Sequence, residues 1–247
     1  MRKPPPPLRV ALLSSRRAPG LRQLLDDPAR GELFQLVVGV VTDPLGEAAM
    51  ELGQLAAIHN LRAFCRLKGG KLGDAGLREQ FDERTAHLLH RFRPDLILLS
   101  GYLHVLTGPM LEAYPQRIVN LHDADLTIAG ADGAPRYRGL HSTYDAIRAG
   151  EPETRTTAHV VTRELDQGPI LFRSARFPVH PMVEDAIRWG ATDLLKAYAY
   201  AQREWMMRSA WGPMLKHVIR LFTYETDRPT PRPSYRPPVL PSICPAS

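Results

Sequence analysis

The sequence has little cysteine, no long apolar run and no dense block of basic residues. Cys65 and Cys244 are the two cysteines of 247 residues, so we predict neither a disulfide framework nor a zinc or other metal site. No apolar stretch approaches the roughly 18 residues of a membrane span. The opening MRKPPPPLRVALL is broken by prolines, so no signal peptide is predicted. We expect a cytoplasmic protein that binds no membrane.

The charge of the chain favours an anionic ligand. The formal net charge is +6 and the isoelectric point is near 9.5. The arginines are scattered, as at Arg16, Arg17, Arg136 and Arg138, and do not alternate with aromatic residues. A small phosphorylated substrate is therefore favoured over nucleic acid. The sequence leaves the oligomeric state open.

Apolar runs alternate with helical patterns through the first half of the chain. Predicted strands cover 8–15, 33–43, 61–67, the residues after Pro94 and 117–122; predicted helices cover the leucines after Gly20, 46–60, 77–93 and 140–150. This alternation predicts an α/β fold, a Rossmann-like, mostly parallel twisted sheet with helices on both faces. Hydrophobicity of 44% is enough for a substantial core.

The second half predicts a simpler succession of elements. We expect strands over 154–165 and 168–179, a long helix from about Val183 to Met207, and a shorter one over 214–222. Residues 1–7 form a Pro-rich extension and residues 225–247 a Pro/Arg-rich, disordered tail, which leaves 8–224 as the catalytic domain. Truncation after about Thr226 is expected to leave folding intact.

The segment RIVNLH carries polar residues where a buried strand ends. Asn120 and His122 are two residues apart, so they share one face of a strand. Ligands of parallel α/β sheets bind beyond the carboxyl ends of strands, which suits a catalytic pair. Taken singly, the Asn could bond a turn and the His could be structural.

Three ordered segments carry a resemblance to a known family. FRPDLILLSGYLHVLT, VNLH and TTAHVVTRELDQGPIL resemble the folate-binding segment, the Asn-x-His strand and the closing motif of the 10-formyltetrahydrofolate-dependent formyltransferases. The resemblance covers about Leu8 to Trp205. It is strongest toward the phosphoribosylglycinamide formyltransferases, although APRYRGLHS is similar to the loop of methionyl-tRNA and amino-sugar formyltransferases.

The resemblance implies the site residues. Asn120 would donate to the formyl oxygen, His122 would stabilise the oxyanion, and Asp166 would support a charged His122 and take the amine proton. Thr157 and His159 would line the substrate site. The co-substrate 10-formyltetrahydrofolate would be held by Asp166 and by a segment formed of Leu103, His104, Val105 and Leu106.

The sequence departs from the family pattern at two places. The family's Gly-x-Gly-Ser-Asn phosphate loop is replaced by SSRRAPG, where Arg16 and Arg17 could hold a phosphate by charge or could be solvated. After His122 the family has Pro-Ser-Leu-Leu-Pro, and this chain has Asp-Ala-Asp-Leu-Thr and a glycine-rich insertion. Asp123 and Asp125 could cap a turn, raise the proton affinity of His122 or bind an amine.

The resemblance predicts formyl transfer to a primary amine, with glycinamide ribonucleotide of purine biosynthesis as the best single candidate. An amino sugar or a hydroxylated amino acid is an alternative acceptor. Hydrolysis of formyltetrahydrofolate is a second alternative, less favoured because the sequence carries no counterpart of the regulatory domain that precedes such enzymes. A catalytically inactive binding module and a metal-dependent hydrolase complete the alternatives; ligands of the latter would come from His122, Asp123, Asp125, His141 and His159.

Overall fold

The computed structural model describes residues 6–59, 64–67 and 74–224, and the chain divides into two compact units. Unit 1 is Met1–Ala18, Pro28–Ile118 and Ile219–Ser247; unit 2 is Pro19–Asp27 and Val119–Val218. Residues 1–5 of the predicted extension and the whole predicted tail lie outside the described residues. The boundaries at 8 and 224 therefore stay predictions.

Nine strands and eight α-helices are assigned within the described residues. The strands are β1 (Leu8–Ser14), β2 (Phe34–Val41), β3 (Phe64–Arg66), β4 (Leu96–Leu99), β5 (Ile118–His122), β6 (Glu153–Thr154), β7 (Thr157–Val160), β8 (Ile170–Arg173) and β9 (Phe177–Pro178). The helices are α1 (Leu21–Leu25), α2 (Glu47–His59), α3 (Ala75–Phe92), α4 (Gly108–Ala113), α5 (Ser142–Arg148), α6 (Met182–Arg188), α7 (Thr192–Met206) and α8 (Gly212–Tyr224), with a π-helix over Met207–Trp211.

Unit 1 contains a parallel sheet in the order β3-β2-β1-β4. Its central strands β1 and β4 are mostly apolar, which is typical of parallel strands that are buried on both faces. Leu12, Leu13, Ile97 and Leu98 are fully buried. The helix α3 begins at Asp74, whose side chain accepts from the Leu77 amide. The sheet brings the residues that follow β1, β2 and β4 to one edge.

Unit 2 contains antiparallel pairs. β7 pairs with both β5 and β8, and β6 pairs with β9 in a separate two-stranded sheet. Helices α5, α6 and α7 share an apolar cluster of Ile147, Val183, Ala186, Leu195 and Ala199. The β5–β7 register sets the candidate site, because it puts Asn120 opposite His159 and His122 opposite Thr157.

The predicted strands and helices up to residue 122 are confirmed where they fall on described residues, but the second half needs correction. The single helix expected over 183–207 is wrong: α6 and α7 are separated at Gly190, whose φ of +65° ends the first helix. The shorter helix is α8, joined to α7 through the π-helix. Each of the two predicted strands is divided, into β6 and β7 and into β8 and β9, because the two-stranded sheet pairs separately.

Candidate active site

Asn120 and His159 face each other across the β5–β7 pair. The Asn120 Nδ2 lies 3.3 Å from the His159 Nε2, and the His159 Nδ1 lies 3.1 Å from the Val160 carbonyl. Because a carbonyl oxygen only accepts, the Nδ1 carries the proton and a neutral His159 accepts from Asn120 through Nε2. His159 thereby fixes which way the Asn120 amide points.

His122 ends β5 with both ring nitrogens facing oxygen atoms. Its Nε2 donates to the Tyr137 carbonyl at 2.8 Å, and its Nδ1 lies 3.5 Å from the Asp166 Oδ2. The glycine-rich insertion supplies the first contact: Ala129 and Pro135 form a bridge that turns the chain back toward His122. A doubly protonated ring satisfies both contacts at once.

Asp166 is held by its own turn and by the loop ahead of α5. Its backbone is left-handed, with φ of +54°, and its Oδ2 accepts from the Gly139 amide at 2.8 Å. Two residues later Gly168 leaves no room for a side chain, since a Cβ there would lie 1.8 Å from the Val160 carbonyl oxygen. The turn is thus packed tightly against β7. The Asp166 carboxylate lies 3.5 Å from the His122 ring and 3.7 Å from the His159 ring.

His159 and His122 differ in their electrostatic surroundings. Burial lowers the pKa of His159, and the neighbouring His122 lowers it further, while Asp166 opposes both effects. The Asp166 Oδ1 lies 3.7 Å from the His159 Nε2, beyond hydrogen-bond distance. We therefore describe His159 as the neutral member that orients Asn120.

Thr157 is fully buried and its hydroxyl is engaged by the loop after β5. It donates to the Ala124 carbonyl at 2.6 Å and accepts from the Leu126 amide at 3.2 Å. In this arrangement the hydroxyl anchors the loop. A role of Thr157 in binding substrate stays a prediction.

The two carboxylates after His122 have different surroundings. Asp125 caps a turn by accepting from the Thr127 amide and hydroxyl, and it pairs with Arg173 at 2.7 Å. Burial acts to raise its pKa, but these hydrogen bonds and the Arg173 charge outweigh burial and lower it. The turn-capping interpretation fits Asp125, as the sequence suggested.

Asp123 does not cap a turn; its buried carboxylate accepts from three side chains. The donors are the Thr156 hydroxyl at 3.1 Å, the Arg203 Nε at 3.0 Å and the Trp211 Nε1 at 2.7 Å. No local pattern pointed to Arg203 or Trp211, which lie 80 and 88 residues further along the chain. Three donors around one carboxylate also disfavour Asp123 as a metal ligand.

The remaining predicted site residues lie in unit 1. Arg16 lies 4.0 Å from the Asp43 carboxylate and Arg17 lies 3.5 Å from the Glu47 carboxylate. A cavity of about 400 Å³ lies at the carboxyl ends of β1, β2 and β4. Its lining includes Ser15, Arg16, Thr42, Asp43, Leu103 and His104.

The segment predicted to hold the co-substrate lies between β4 and α4. Leu103 and Val105 are exposed and Leu106 is buried. The His104 ring meets Tyr102 edge-on at 5.5 Å, and partial burial together with the charge of Arg78 lowers its pKa. Exposed aliphatic residues beside an oriented aromatic ring suit contact with a planar ligand.

Comparison with known proteins identifies the family. Residues 8–188 match the family model described as formyl transferase. The chain belongs to the formyl transferase family. Within the described residues, no helix combines the length and the apolar character needed to cross a membrane.

Three relatives of the chain carry three different names. The chain is 32% identical over 176 residues to the trifunctional purine biosynthetic protein adenosine-3 of Drosophila melanogaster, covering 70% of this chain and 12% of that protein. It is 33% identical over 102 residues to the phosphoribosylglycinamide formyltransferase of Escherichia coli (strain K12), covering 41% and 44%. The formyltetrahydrofolate deformylase of Bacillus subtilis (strain 168) is 28% identical over 163 residues, covering 66% and 48%. The chain thus spans less than half of each of these relatives.

A solved structure supports the same fold. The crystal structure of phosphoribosylglycinamide formyltransferase from Anaplasma phagocytophilum superposes with a TM-score of 0.62 at 20% identity, covering 87% of this chain and 88% of that one. The predicted α/β fold with a mostly parallel sheet is confirmed.

Proposed function

We propose that this chain transfers a formyl group from 10-formyltetrahydrofolate to a primary amine, with glycinamide ribonucleotide as the first acceptor to test. The observation that carries the proposal is the cluster of Asn120, His122, His159 and Asp166 in a formyl transferase family member. The names of the Drosophila melanogaster and Escherichia coli relatives support the purine acceptor. A cytoplasmic location is part of the proposal.

Asn120 is suited to the formyl oxygen. Attack of the amine on the formyl carbon makes a carbon–nitrogen bond and leaves a tetrahedral oxyanion, which donors must stabilise. One Nδ2 hydrogen of Asn120 goes to His159, and the other remains for the oxygen. A neutral His159 therefore prepares the amide for its donor role.

His122 and Asp166 are suited to the charge and proton changes. We propose that the formyl oxygen replaces the Tyr137 carbonyl at the His122 Nε2, while the Nδ1 keeps facing Asp166. The intermediate collapses by breaking the bond to the folate nitrogen, which must gain a proton as the attacking amine loses one. Asp166 is the carboxylate that faces the His122 and His159 rings, and we propose that it takes the amine proton directly or through water.

Unit 1 would contribute residues to the binding of both substrates, in addition to Thr157, His159 and Asp166 of unit 2. The segment Leu103–Leu106 would contact the co-substrate. Arg16, which lines the cavity after β1, would meet a phosphate together with the adjacent Arg17. The phosphate would compete for these arginines with the nearby carboxylates of Asp43 and Glu47. An acceptor without phosphate would leave these pairs in place.

Hydrolysis is the second candidate, and the Bacillus subtilis deformylase relative favours it. Water in place of the amine would release formate through the same residues. The distinction between the two reactions is therefore the nature of the nucleophile, which activity assays can separate.

The test mixes purified protein with 10-formyltetrahydrofolate and follows tetrahydrofolate with and without glycinamide ribonucleotide. Turnover that requires this amine supports the purine assignment. Turnover with formate release in its absence supports hydrolysis. Full activity in His122→Ala would contradict both, and absence of turnover under both conditions would reject glycinamide ribonucleotide and water as nucleophiles.

A further inference from the structure

The residue directly after the candidate catalytic histidine is a buried carboxylate. Asp123 is 4% exposed, and β5 ends one residue before it. Its Oδ1 accepts from the Thr156 hydroxyl and the Trp211 Nε1, and its Oδ2 accepts from the Arg203 Nε. A buried carboxylate needs such donors, because burial without them is strongly unfavourable.

The backbone at Asp123 is anchored as well. Its carbonyl accepts from the Thr143 hydroxyl at 2.7 Å, and the next carbonyl, of Ala124, accepts from Thr157. The chain therefore leaves β5 along a path fixed by α5 on one side and by β7 on the other. This path fixes the backbone position of His122, the last residue of β5.

Two of the three carboxylate donors come from beyond the residues that the family model matches. The match ends at residue 188, whereas Arg203 lies in α7 and Trp211 in the π-helix. The wider turn of a π-helix redirects side chains, and such turns are frequent at functional sites. Gly212 lets this turn sit against α1, since a Cβ there would lie 1.8 Å from the Gln23 Oε1.

We propose that Asp123 is a positioning residue for His122, and that Arg203 and Trp211 influence catalysis through Asp123. The inference rests on the proposed function for its kinetic effect. In place of the family's proline, this chain fixes the start of the loop with a carboxylate clamp, which we define as Asp123 with Thr156, Arg203 and Trp211.

The sharpest variant is Asp123→Asn. An asparagine keeps one oxygen for Thr156 and Trp211, but its amide nitrogen faces the Arg203 Nε, where neither atom accepts. Trp211→Phe removes one donor and keeps an aromatic ring in the core. Trp189→Phe is the matched control, because Trp189 is 74% exposed.

The kinetic readout separates kcat from KM. We expect Asp123→Asn to lower kcat about 10- to 100-fold, because small displacements of a catalytic group have effects of that size. KM for the formyl donor should change by less than about 3-fold, since no clamp residue is among those proposed to hold the donor. Trp211→Phe should lower kcat by a smaller factor, and Trp189→Phe should leave kcat unchanged.

A second readout does not depend on activity. The His122 imidazole signals in nuclear magnetic resonance spectra are assigned by their loss in His122→Ala. Trp211→Phe, which leaves the Asp123 charge in place, should shift them, while the signals of the exposed His180 stay in place. If the wild type turns over no substrate, the proposed function fails and these shifts still decide the positioning role.

A purely structural Asp123 would give the opposite pattern. The melting temperature of Asp123→Asn would fall while kcat below that temperature and the His122 signals stayed at wild-type values, which would overturn the proposal. If Asp123→Asn does not fold, Trp211→Phe decides in the same way. Unmoved His122 signals and unchanged kcat in Trp211→Phe would overturn it too.

Discussion

Two imidazoles in one cluster have different hydrogen-bond environments. Both nitrogens of His122 face oxygen acceptors, whereas His159 donates to a carbonyl through one nitrogen and accepts from Asn120 through the other. Asp166 approaches both rings from a strained turn. The arrangement separates a group suited to positive charge from a neutral group that orients an amide.

At the residue scale, His122→Ala and Asp166→Asn should each lower kcat by about 10² to 10⁴, the range for acid–base groups. Asp166→Asn keeps an oxygen for the Gly139 amide and tolerates the left-handed backbone, so folding should survive. Formyl-transfer kinetics provide the measurement. The exposed His141 supplies the control, since His141→Ala should retain wild-type kcat. Wild-type rates in both site variants would remove the cluster from the reaction.

The protonation of His159 gives a second prediction at this scale. Burial lowers its pKa from the ordinary 6.5, so the neutral form that accepts from Asn120 persists at neutral pH. The interaction is lost as pH falls through this lowered pKa, and kcat should fall with it. Titration of the His159 signal by nuclear magnetic resonance should give a midpoint below 6.5.

The neighbours of His159 should move this midpoint in opposite directions. Asp166→Asn removes a carboxylate that raises the pKa, so the midpoint should fall further. His122→Ala removes a neighbour that lowers it, so the midpoint should rise. A wild-type midpoint above 6.5 would mean that His159 is charged at weakly acid pH and cannot accept from Asn120.

At the element scale, the local sequence pattern predicted where β5 lies, but it did not predict the helix break or the contacts between distant side chains. The strand from Ile118 to His122 was evident from its apolar residues and its polar end. The break at Gly190 was missed, because apolar residues continue at helical spacing across it. The clamp on Asp123 could not be predicted, since Arg203 and Trp211 reach it only after α7 and the π-helix have packed.

A contact between α3 and Thr107, the residue before α4, makes the free energy of unfolding depend on pH. Asp82 in α3 is buried and accepts from the Thr107 amide and hydroxyl, and burial raises its pKa from 3.8 to about 6. The protonated Asp82 carboxyl group therefore contributes to the free energy of unfolding. This contribution is fully present below pH 3.8 and is lost as pH rises through about 6. Asp82→Asn keeps an acceptor and cannot ionise.

The free energy of unfolding of Asp82→Asn relative to wild type should therefore rise between pH 4 and pH 7, by up to about 2 to 3 kcal/mol. Urea denaturation at each pH measures the difference. Glu79→Gln, an exposed change on the same helix, should show a smaller pH dependence. A difference for Asp82→Asn that stays constant with pH would contradict the raised pKa.

At the scale of the whole molecule, the family match and the folded chain end at different places. The match stops at residue 188, but buried side chains continue in the following helices, including Met206, Trp211, Leu215 and Val218. The sequence predicted that residues after about Thr226 contribute little to folding. The carboxyl-terminal requirement of the fold should therefore lie between residues 188 and 226.

Two truncations test this division. A chain of residues 1–226 should melt within about 2 °C of wild type, since a change in unfolding free energy of 1 kcal/mol shifts melting by several degrees in domains of this size.

A chain ending at residue 200 lacks Arg203 and Trp211, so the Asp123 carboxylate is left buried with one donor, and breaking a buried charge pair costs about 3–5 kcal/mol. Together with the lost core, this should abolish cooperative melting in circular dichroism and calorimetry. Cooperative melting of the shorter chain near the wild-type temperature would show that the end of α7 and the helices after it are dispensable. A large loss of stability in the longer chain would show that the tail packs.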